Sequence, residues 1–264
     1  MKTHTIPVLL ALAAASVVSA SAQVLFTGTQ YTQNFNALPL NSAAGAISVT
    51  INNNSTLLGW YSSVGTGSNA ARASNGSSTA SGMLYSWGSA NDTDRAFGSF
   101  FGGTGGFTGG TAYFGLQIKN NGLDTYDSAS LGYTVEQWRN NVNATNWNFE
   151  YLVTVSTGDQ LTAIGYSTIS GGAVTAPQTG SSGGLNGNLV ANQVSRSISI
   201  NTLDWQPNEF LWIRVSNAAG DNSSGLGLDA FSLSAIAIPE PASASALAGL
   251  LALGCVALRR RRSA

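Results

Sequence analysis

Histidine and cysteine are the residue types whose positions restrict the chemistry of this chain most. The only histidine is His4 and the only cysteine is Cys255, so both lie close to the ends of the 264-residue sequence. Residues 23–238 therefore cannot form a Ser-His-Asp triad, a catalytic Cys-His pair or a His/Cys zinc site. Chemistry there is restricted to carboxylates, hydroxyls, amides, aromatic rings and a few cations.

An oxygen-rich segment is the best candidate for a cation site. It runs Asp-Asn-Ser-Ser-Gly from Asp221, and Asp229 follows shortly afterwards. Ca²⁺ takes about six to eight oxygen ligands, which such turns can supply. We therefore name Asp221 and Asp229 as candidate Ca²⁺ ligands. The alternative is an Asx-type turn that leads into the last strand.

Two further polar groups have both a functional and a structural explanation. Asp94 lies in the segment Asn-Asp-Thr-Asp-Arg and is expected either to bind a cation or to pair with Arg95 or a more distant arginine. Glu136 and Arg139 lie on either side of Trp138. They are expected to form either a polar binding pair or a partly buried ion pair.

Carboxylates are the remaining route to catalysis. Glu136, Glu150 and Glu209 are the only glutamates within residues 23–238. Glycoside hydrolysis usually requires two carboxyl groups at a fixed separation, and the sequence places no two of these together. We therefore predict that the protein is not an enzyme, with a carboxylate-based glycosidase as the alternative.

Aromatic residues suggest a second kind of site. Trp147 and Trp212 lie in alternating segments and are expected in a core, whereas Trp60, Tyr61 and Trp87 are less constrained. Indole and phenol rings can stack on sugar rings, but they also fill sandwich cores. The sequence therefore predicts a sugar platform at Trp60, Tyr61 and Trp87, with core packing as the alternative.

Strand-like alternation must position these groups. In residues 147–155, large apolar side chains occupy every second position, which is the period of a half-buried strand. Similar segments recur between Gly, Asn and Ser turns, and none resembles an amphipathic helix. We predict an all-β fold, a two-sheet antiparallel β-sandwich of jelly-roll-like topology. Its strands are expected at residues 31–35, 47–51, 57–62, 83–87, 96–101, 112–119, 129–138, 147–155, 161–166, 194–200, 210–215 and 226–238.

The charge of residues 23–238 excludes one class of partner. They hold six Lys and Arg against eleven Asp and Glu, with no cationic cluster. Nucleic-acid phosphates require clustered cations, so we predict no nucleic-acid partner.

The two ends of the chain look like targeting segments. Residues 1–22 carry Lys2, an apolar stretch and an Ala-Ser-Ala cleavage site, which is the pattern of a secretory signal peptide. The alternative is an uncleaved N-terminal anchor. At the other end, Pro239, Glu240 and Pro241 precede the uncharged residues 242–258. That stretch is at the lower limit for a transmembrane helix. Its alternative is a C-terminal core helix.

Four arginines complete this second pattern: Arg259, Arg260, Arg261 and Arg262. Because arginine is costly to bury in lipid, they predict a cytoplasmic C-terminus. The triplet, the apolar stretch and the arginine cluster together resemble the PEP-CTERM sorting tail of Gram-negative bacteria, over residues 238–264. The resemblance implies removal of the tail by an exosortase in the inner membrane, after export through the Sec translocon. It also implies release or attachment at the cell surface, often beside exopolysaccharide.

The central part resembles exported domains found upstream of such tails. The similar segments are residues 31–35, 94–99, 131–139, 211–214 and 225–232. These domains resemble carbohydrate-binding sandwiches and mostly lack an assigned activity. The chain is therefore expected to have a signal peptide at 1–22, a domain at 23–238 and a sorting tail at 239–264. We predict a non-enzymatic cell-surface or matrix protein associated with glycans. The alternatives are a carbohydrate-binding module, a glycosidase and a purely structural adhesin.

Overall fold

A computed structural model describes residues 23–41, 45–100, 110–218 and 223–237. The predicted signal peptide at 1–22, the sorting tail at 239–264 and Asp221 lie outside these residues. Within the described ranges, no helix has both the length and the apolar character needed to cross a membrane.

In the described part of the chain, the regular structure consists of strands and one 3₁₀ turn, Val190–Asn192. The strands are short extended segments that lie between turns rich in glycine, asparagine and serine. The strands are β1 (Val24–Phe26), β2 (Tyr31–Gln33), β3 (Ile47–Ile51), β4 (Trp60–Ser62), β5 (Gly67–Ser74), β6 (Met83–Trp87), β7 (Ala96–Phe100), β8 (Thr111–Asn120), β9 (Tyr126–Asn140), β10 (Asn146–Thr154), β11 (Ser167–Thr168), β12 (Val174–Thr175), β13 (Gly183–Gly184), β14 (Gln193–Ile200), β15 (Phe210–Ala218) and β16 (Gly225–Ala237).

The strands form two sheets, which confirms the predicted all-β sandwich. The seven-stranded sheet has the order β1-β8-β15-β10-β11, with β4 also paired to β8 and β12 to β10. The nine-stranded sheet has the order β13-β9-β16-β7-β6-β5-β3, with β14 also paired to β9 and β2 to β16. The jelly-roll-like connectivity stays a prediction.

The expectation of purely antiparallel sheets is wrong. β1 pairs with β8 in parallel, and β5 pairs with β6 in parallel. Parallel pairing is possible for β5 and β6 because residues 75–82 form a crossover rather than a two-residue hairpin. β5 was also missed as a strand, since its sequence, GSNAARAS, has small and polar residues instead of an apolar alternation.

Aromatic residues fill the space between the sheets. Trp147 and Phe149 of β10 point into this core, as their alternation predicts. Trp60 lies there too, with its Nε1 donating a hydrogen bond to Tyr31 Oη at 2.9 Å. Its ring packs edge-on against Phe35 at 4.8 Å between centroids. The core thus takes up one of the tryptophans predicted to bind sugar.

A register shift in β9 is important for the outer surface of the nine-stranded sheet. Arg139 pairs with Gly225, whereas Gln137 pairs with Leu226, so Trp138 is an extra residue in β9. A bulge of this kind interrupts the strict alternation of side chains between the two faces. As a result, Glu136, Trp138 and Arg139 all lie on the outer side, away from the main core.

The predicted strand at 161–166 is a loop instead. Leu161 packs with Phe210 and Trp212 in a small apolar cluster that is separate from the main core. This loop covers part of the outer face of the seven-stranded sheet. The loop packs apolar side chains on the sheet without forming strand hydrogen bonds with it. An alternation of apolar and polar residues is compatible with either arrangement, so the sequence pattern did not distinguish a strand from a covering loop.

Candidate functional site

The outer face of the seven-stranded sheet carries a group of partly exposed tyrosines. We call Tyr61, Tyr113 and Tyr166 the tyrosine face. Tyr61 of β4 lies opposite Gly115 of β8, and Tyr113 is two residues from Gly115, so both point to the same side. Tyr166 comes from the covering loop. All three side chains are half-buried, which leaves part of each residue accessible to a ligand.

One arginine holds two of these rings in place. The guanidinium carbon of Arg214 lies 4.1 Å from the centroid of Tyr113 and 3.5 Å from that of Tyr166. Arg214 Nε also donates to Glu150 Oε2 at 2.7 Å, and Nη1 donates to the Leu161 carbonyl at 2.7 Å. Burial raises the pKa of Tyr166, with Arg214 acting in the opposite direction. The arginine therefore clamps the covering loop onto the sheet.

Tyr61 contacts the indole of Trp212 and the amide of Gln117 on the same side of the sheet. Its ring centroid lies 5.0 Å from that of Trp212, and its hydroxyl donates to Gln117 Oε1 at 3.1 Å. Trp212 and Gln117 are directly opposite each other on β15 and β8. In the described part of the chain, neither Trp212 Nε1 nor Gln117 Nε2 has a hydrogen-bond partner. Burial raises the pKa of Tyr61, and the charge of Asp159 adds to that effect.

The outer face of the nine-stranded sheet is instead mostly covered. Tyr85 and Trp87 of β6 stack with centroids 3.9 Å apart and planes inclined by 3°. Trp87 is fully buried, and its Nε1 donates to the Leu226 carbonyl at 2.9 Å. The sugar platform predicted at Trp60 and Trp87 is therefore wrong, because both indoles are enclosed. Tyr61 alone of that predicted group is partly accessible.

Glu136 is a buried carboxyl on this covered face. Its Oε2 accepts a hydrogen bond from Trp138 Nε1 at 2.9 Å, and its Oε1 accepts one from Gln193 Nε2 at 3.0 Å. The pKa of Glu136 is raised to about 7, chiefly by burial and also by the nearby charges of Asp229 and Asp94, while the two hydrogen bonds act in the opposite direction. The carboxyl thus changes protonation close to neutral pH.

Arg139 does not pair with Glu136, so the expected ion pair is wrong. Its Nη1 donates to the Gly76 carbonyl at 3.0 Å, and its Nη2 donates to Ser182 Oγ at 2.7 Å. The indole of Trp138 takes the position beside Glu136 that the ion-pair interpretation gave to the guanidinium. The ion pair found among the described residues joins Arg214 and Glu150 instead.

Asp229 lies on the same face as Glu136. Leu228 and Val135 are cross-strand partners in the core, so their neighbours Asp229 and Glu136 both point outward. Burial raises the pKa of Asp229 to about 6; a backbone hydrogen bond to Ala230 lowers it and the charge of Asp94 raises it. Asp221 is outside the described residues. Within them, no group of three or more acidic, histidine or cysteine residues has the arrangement of a metal site.

Asp94 and Arg95 have separate partners. Asp94 Oδ2 accepts a hydrogen bond from Asn188 Nδ2 at 2.8 Å. Arg95 is buried and donates to Ser86 Oγ at 2.9 Å and to Asn41 Oδ1 at 3.0 Å. Burial lowers the pKa of Arg95 to about 10, with nearby aspartates opposing the change. Arg95 is therefore a structural cation, and the expected pair with Asp94 is not formed.

An open pocket of about 380 Å³ lies beside Trp138 on this side of the molecule. We call it the amide pocket, since it is lined mainly by neutral polar groups. Its walls include Asn75, Ser77, Ser89, Asn186, Gly184 and the indole of Trp138. No titratable side chain is among the residues that line it.

Several of these groups could not be identified from the sequence. Tyr113, Tyr166 and Arg214 were not predicted as site residues, although the alternation of residues 210–215 correctly groups Arg214 with Trp212 on the outward side of β15. The amide pocket combines residues from loops that are far apart in the chain. Its one sequence signal is that Asn75 and Asn186 each precede a glycine, which is a common turn pattern.

No protein-family model matches this sequence, and no curated protein matches it. Among solved structures, the xylan-binding CBM22-1 domain of Paenibacillus barcinonensis Xyn10C is similar with a TM-score of 0.33 and 9% identity, over 76% of this chain and 100% of that one. The K3 cleaved adhesin domain of Lys-gingipain from Porphyromonas gingivalis has a TM-score of 0.34 and 10% identity, over 72% and 98%. The arabinose-bound arabinofuranosidase MgGH51 has a TM-score of 0.36 and 14% identity, over 81% and 29%. Likenesses of this size do not transfer a ligand or a reaction to this chain.

Proposed function

We propose that this protein is a non-catalytic glycan-binding β-sandwich that acts at the cell surface or in the surrounding matrix. The observation that carries the proposal is the tyrosine face, where three partly exposed phenol rings share one side of a rigid sheet. Carbohydrate-binding surfaces require aromatic rings held in fixed positions beside amide and hydroxyl groups.

The chemistry of the tyrosine face suits a sugar chain. The axial C–H groups of a sugar pack on an aromatic ring, while its hydroxyls exchange hydrogen bonds with neighbouring polar groups. Gln117 lies on the sheet beneath Tyr61, and the half-buried Lys119 follows two residues later on the same side of β8. Because Arg214 fixes the rings of Tyr113 and Tyr166, little conformational freedom is lost when a ligand binds.

Affinity electrophoresis of the purified protein through gels containing neutral or acidic polysaccharides tests this proposal. Replacing Tyr61 or Tyr113 by Ala is expected to weaken binding about five- to tenfold. Leu123→Ala is a suitable control, since Leu123 is 88% exposed and lies in the loop between β8 and β9. Unretarded migration of the wild-type protein in every gel would instead favour a purely structural adhesin.

Export and sorting belong to the same proposal. Its support is the signal-peptide pattern of residues 1–22 and the tail pattern of residues 239–264, both outside the described residues. On this proposal the Sec translocon exports the chain, and the C-terminal segment holds it in the inner membrane. An exosortase then cuts near Pro239-Glu240-Pro241. The glycan partner would be exopolysaccharide at the cell surface.

A glycoside hydrolase is the second candidate function. The observation that favours it is the pair Glu136 and Asp229, which lie diagonally across β9 and β16 with raised pKa values. Diagonal neighbours have Cβ atoms about 7–8 Å apart, close to the spacing that paired catalytic carboxyls use. However, Glu136 is 3% exposed and both of its oxygens accept hydrogen bonds.

Product analysis separates the two functions. The binding proposal predicts that incubation with each retained polysaccharide releases no new reducing ends. Release that disappears in both Glu136→Gln and Asp229→Asn would establish the hydrolase and overturn the non-catalytic proposal.

A further inference from the structure

The amide pocket and the tyrosine face lie on opposite sides of the molecule. The tyrosine face is on the outer side of the seven-stranded sheet, and the pocket adjoins Trp138 on the outer side of the nine-stranded sheet. The main core separates them. A ligand in one site therefore cannot reach the other.

The walls of the amide pocket are held by the sheet beneath them. Gly76 has φ = +91°, and a Cβ there would overlap the Trp138 carbonyl. A Cβ on Gly187 would overlap the Trp138 indole, so both loops approach the strand closely. Arg139 ties the same region down through Gly76 and Ser182. The pocket thus exists before a ligand arrives.

Polar groups around the pocket retain hydrogen-bonding capacity. Asn75 Oδ1 accepts a bond from Ser77 N, and Asn186 Oδ1 accepts one from Asn188 N, so both amide Nδ2 groups can serve as donors. These are the donors and acceptors that sugar hydroxyls match.

Charge determines which sugar fits. The lining residues are neutral, and the charges behind them are of both signs. Glu136 and Asp94 lie behind Trp138 and Asn188, while Arg95 and Arg139 donate to the Ser89 and Gly76 carbonyls. An anionic group would therefore find no cation in the lining with which to pair. An uncharged polyhydroxylated ligand needs no such partner and can pack against the indole.

We propose that the amide pocket is a second saccharide site, selective for an uncharged sugar unit, and that the domain bridges two glycan chains from its opposite faces. This proposal rests on glycan binding at the tyrosine face. Its consequence is cross-linking: a bivalent domain joins separate chains, whereas a domain with one site only decorates them.

Isothermal titration of the full purified protein with a neutral oligosaccharide, xylohexaose, and an acidic one, an oligogalacturonate, measures the number of sites. The probe for bridging is the viscosity of a soluble neutral polysaccharide. Two pocket variants are used: Asn186→Ala removes a donor, and Ala90→Trp fills the pocket from its exposed rim without removing a hydrogen bond. Tyr61→Ala is the matched variant on the other face.

The wild type should bind two xylohexaose molecules per chain. Ala90→Trp should leave one site, whereas Asn186→Ala and Tyr61→Ala should each weaken one of the two sites about five- to tenfold. All three variants should reduce the viscosity increase. The oligogalacturonate should show no binding that depends on Asn186 or Ala90. One site, affected only in Tyr61→Ala, would overturn the pocket while leaving the proposed function intact. One site, affected only in the pocket variants, would instead overturn the tyrosine face and therefore bridging. No binding of either probe, together with unchanged viscosity, would overturn both.

Discussion

The indole nitrogen of Trp138 donates a hydrogen bond to the carboxyl of Glu136 at 2.9 Å, two residues earlier on the same strand. The contact links the wall of the amide pocket to a group that titrates near neutral pH. Arg139, one residue later, instead donates to the Gly76 carbonyl and to Ser182 Oγ.

Glu136 predicts a fall in stability as pH rises. Burial raises its pKa from 4.5 to about 7, so between these values the folded state binds more protons than the unfolded state. The contribution is most favourable below pH 4.5 and is lost as pH rises to 7, amounting to about 3 kcal/mol at most. Urea unfolding at intervals from pH 4 to 8 should show a weaker pH dependence for Glu136→Gln than for the wild type.

Asp229→Asn is the comparison for that measurement. The pKa of Asp229 is raised from 3.8 to about 6, so its contribution is lost over a lower pH range. The variant should flatten the profile mainly between pH 4 and 6. Identical profiles for the wild type and Glu136→Gln would contradict a raised pKa at Glu136.

Arg214 is predicted to stabilise both the sheet and the covering loop. Its side chain is 8% exposed and contacts Glu150, two tyrosine rings and the Leu161 carbonyl. Arg214→Ala should lower the free energy of unfolding by about 3 kcal/mol, because it leaves Glu150 without its cation. Limited proteolysis should then cut within residues 155–166.

The control for this variant is Arg196→Ala. Arg196 is exposed and donates to the neighbouring Ser195 carbonyl, so its loss should change stability by less than about 0.5 kcal/mol. If the two variants are equally stable, the clamp does not exist.

Gly183 of β13 and Gly187 of the loop that follows it provide a matched pair of alanine substitutions. A Cβ at Gly187 would overlap the Trp138 indole, whereas a Cβ at Gly183 would meet nothing within 4 Å. Gly187→Ala should therefore cost about 1–3 kcal/mol through overpacking, and Gly183→Ala should leave the melting temperature nearly unchanged. A similar melting temperature for both would show that the loop does not rest on Trp138.

Calcium binding at Asp221 and Asp229 predicts a response to chelation. Removing a ligand that binds only the folded state lowers stability, so EDTA should lower the melting temperature by several degrees. Asp221→Asn should abolish the response, and Mg²⁺ added in excess of EDTA should not restore it. A melting curve that is the same with and without EDTA would argue against a calcium site at Asp221 and Asp229.

The sorting proposal predicts a role for the arginine cluster. Replacing Arg259, Arg260, Arg261 and Arg262 by Gln removes the charges that resist entry into lipid. Cell fractionation should then show poorer membrane retention and less processed protein at the surface. Intact-mass analysis of the mature protein would locate both ends, and unchanged sorting would argue against the tail.

Composition and periodicity were enough to predict the fold class. The alternation in residues 147–155 places Trp147 and Phe149 in the core, as observed. The ends of β10 and β15 were also close to the predicted positions, because long alternating segments have one apolar face to bury. The sequence alone also excludes catalytic or metal sites that need histidine or cysteine within residues 23–238, because those residues contain neither.

The tertiary structure decided which face each aromatic ring occupies and which polar groups meet. Trp60 and Tyr61 are adjacent, yet Trp60 is in the core and Tyr61 is on the tyrosine face, because successive side chains of a strand point to opposite sides. β4 has three residues, which is too short for its sequence to indicate which side faces the core. Trp87 points away from the main core but is still fully buried, and the bulge at Trp138 changes the phase of β9. These outcomes depend on register and on contacts between distant segments, which local sequence does not specify.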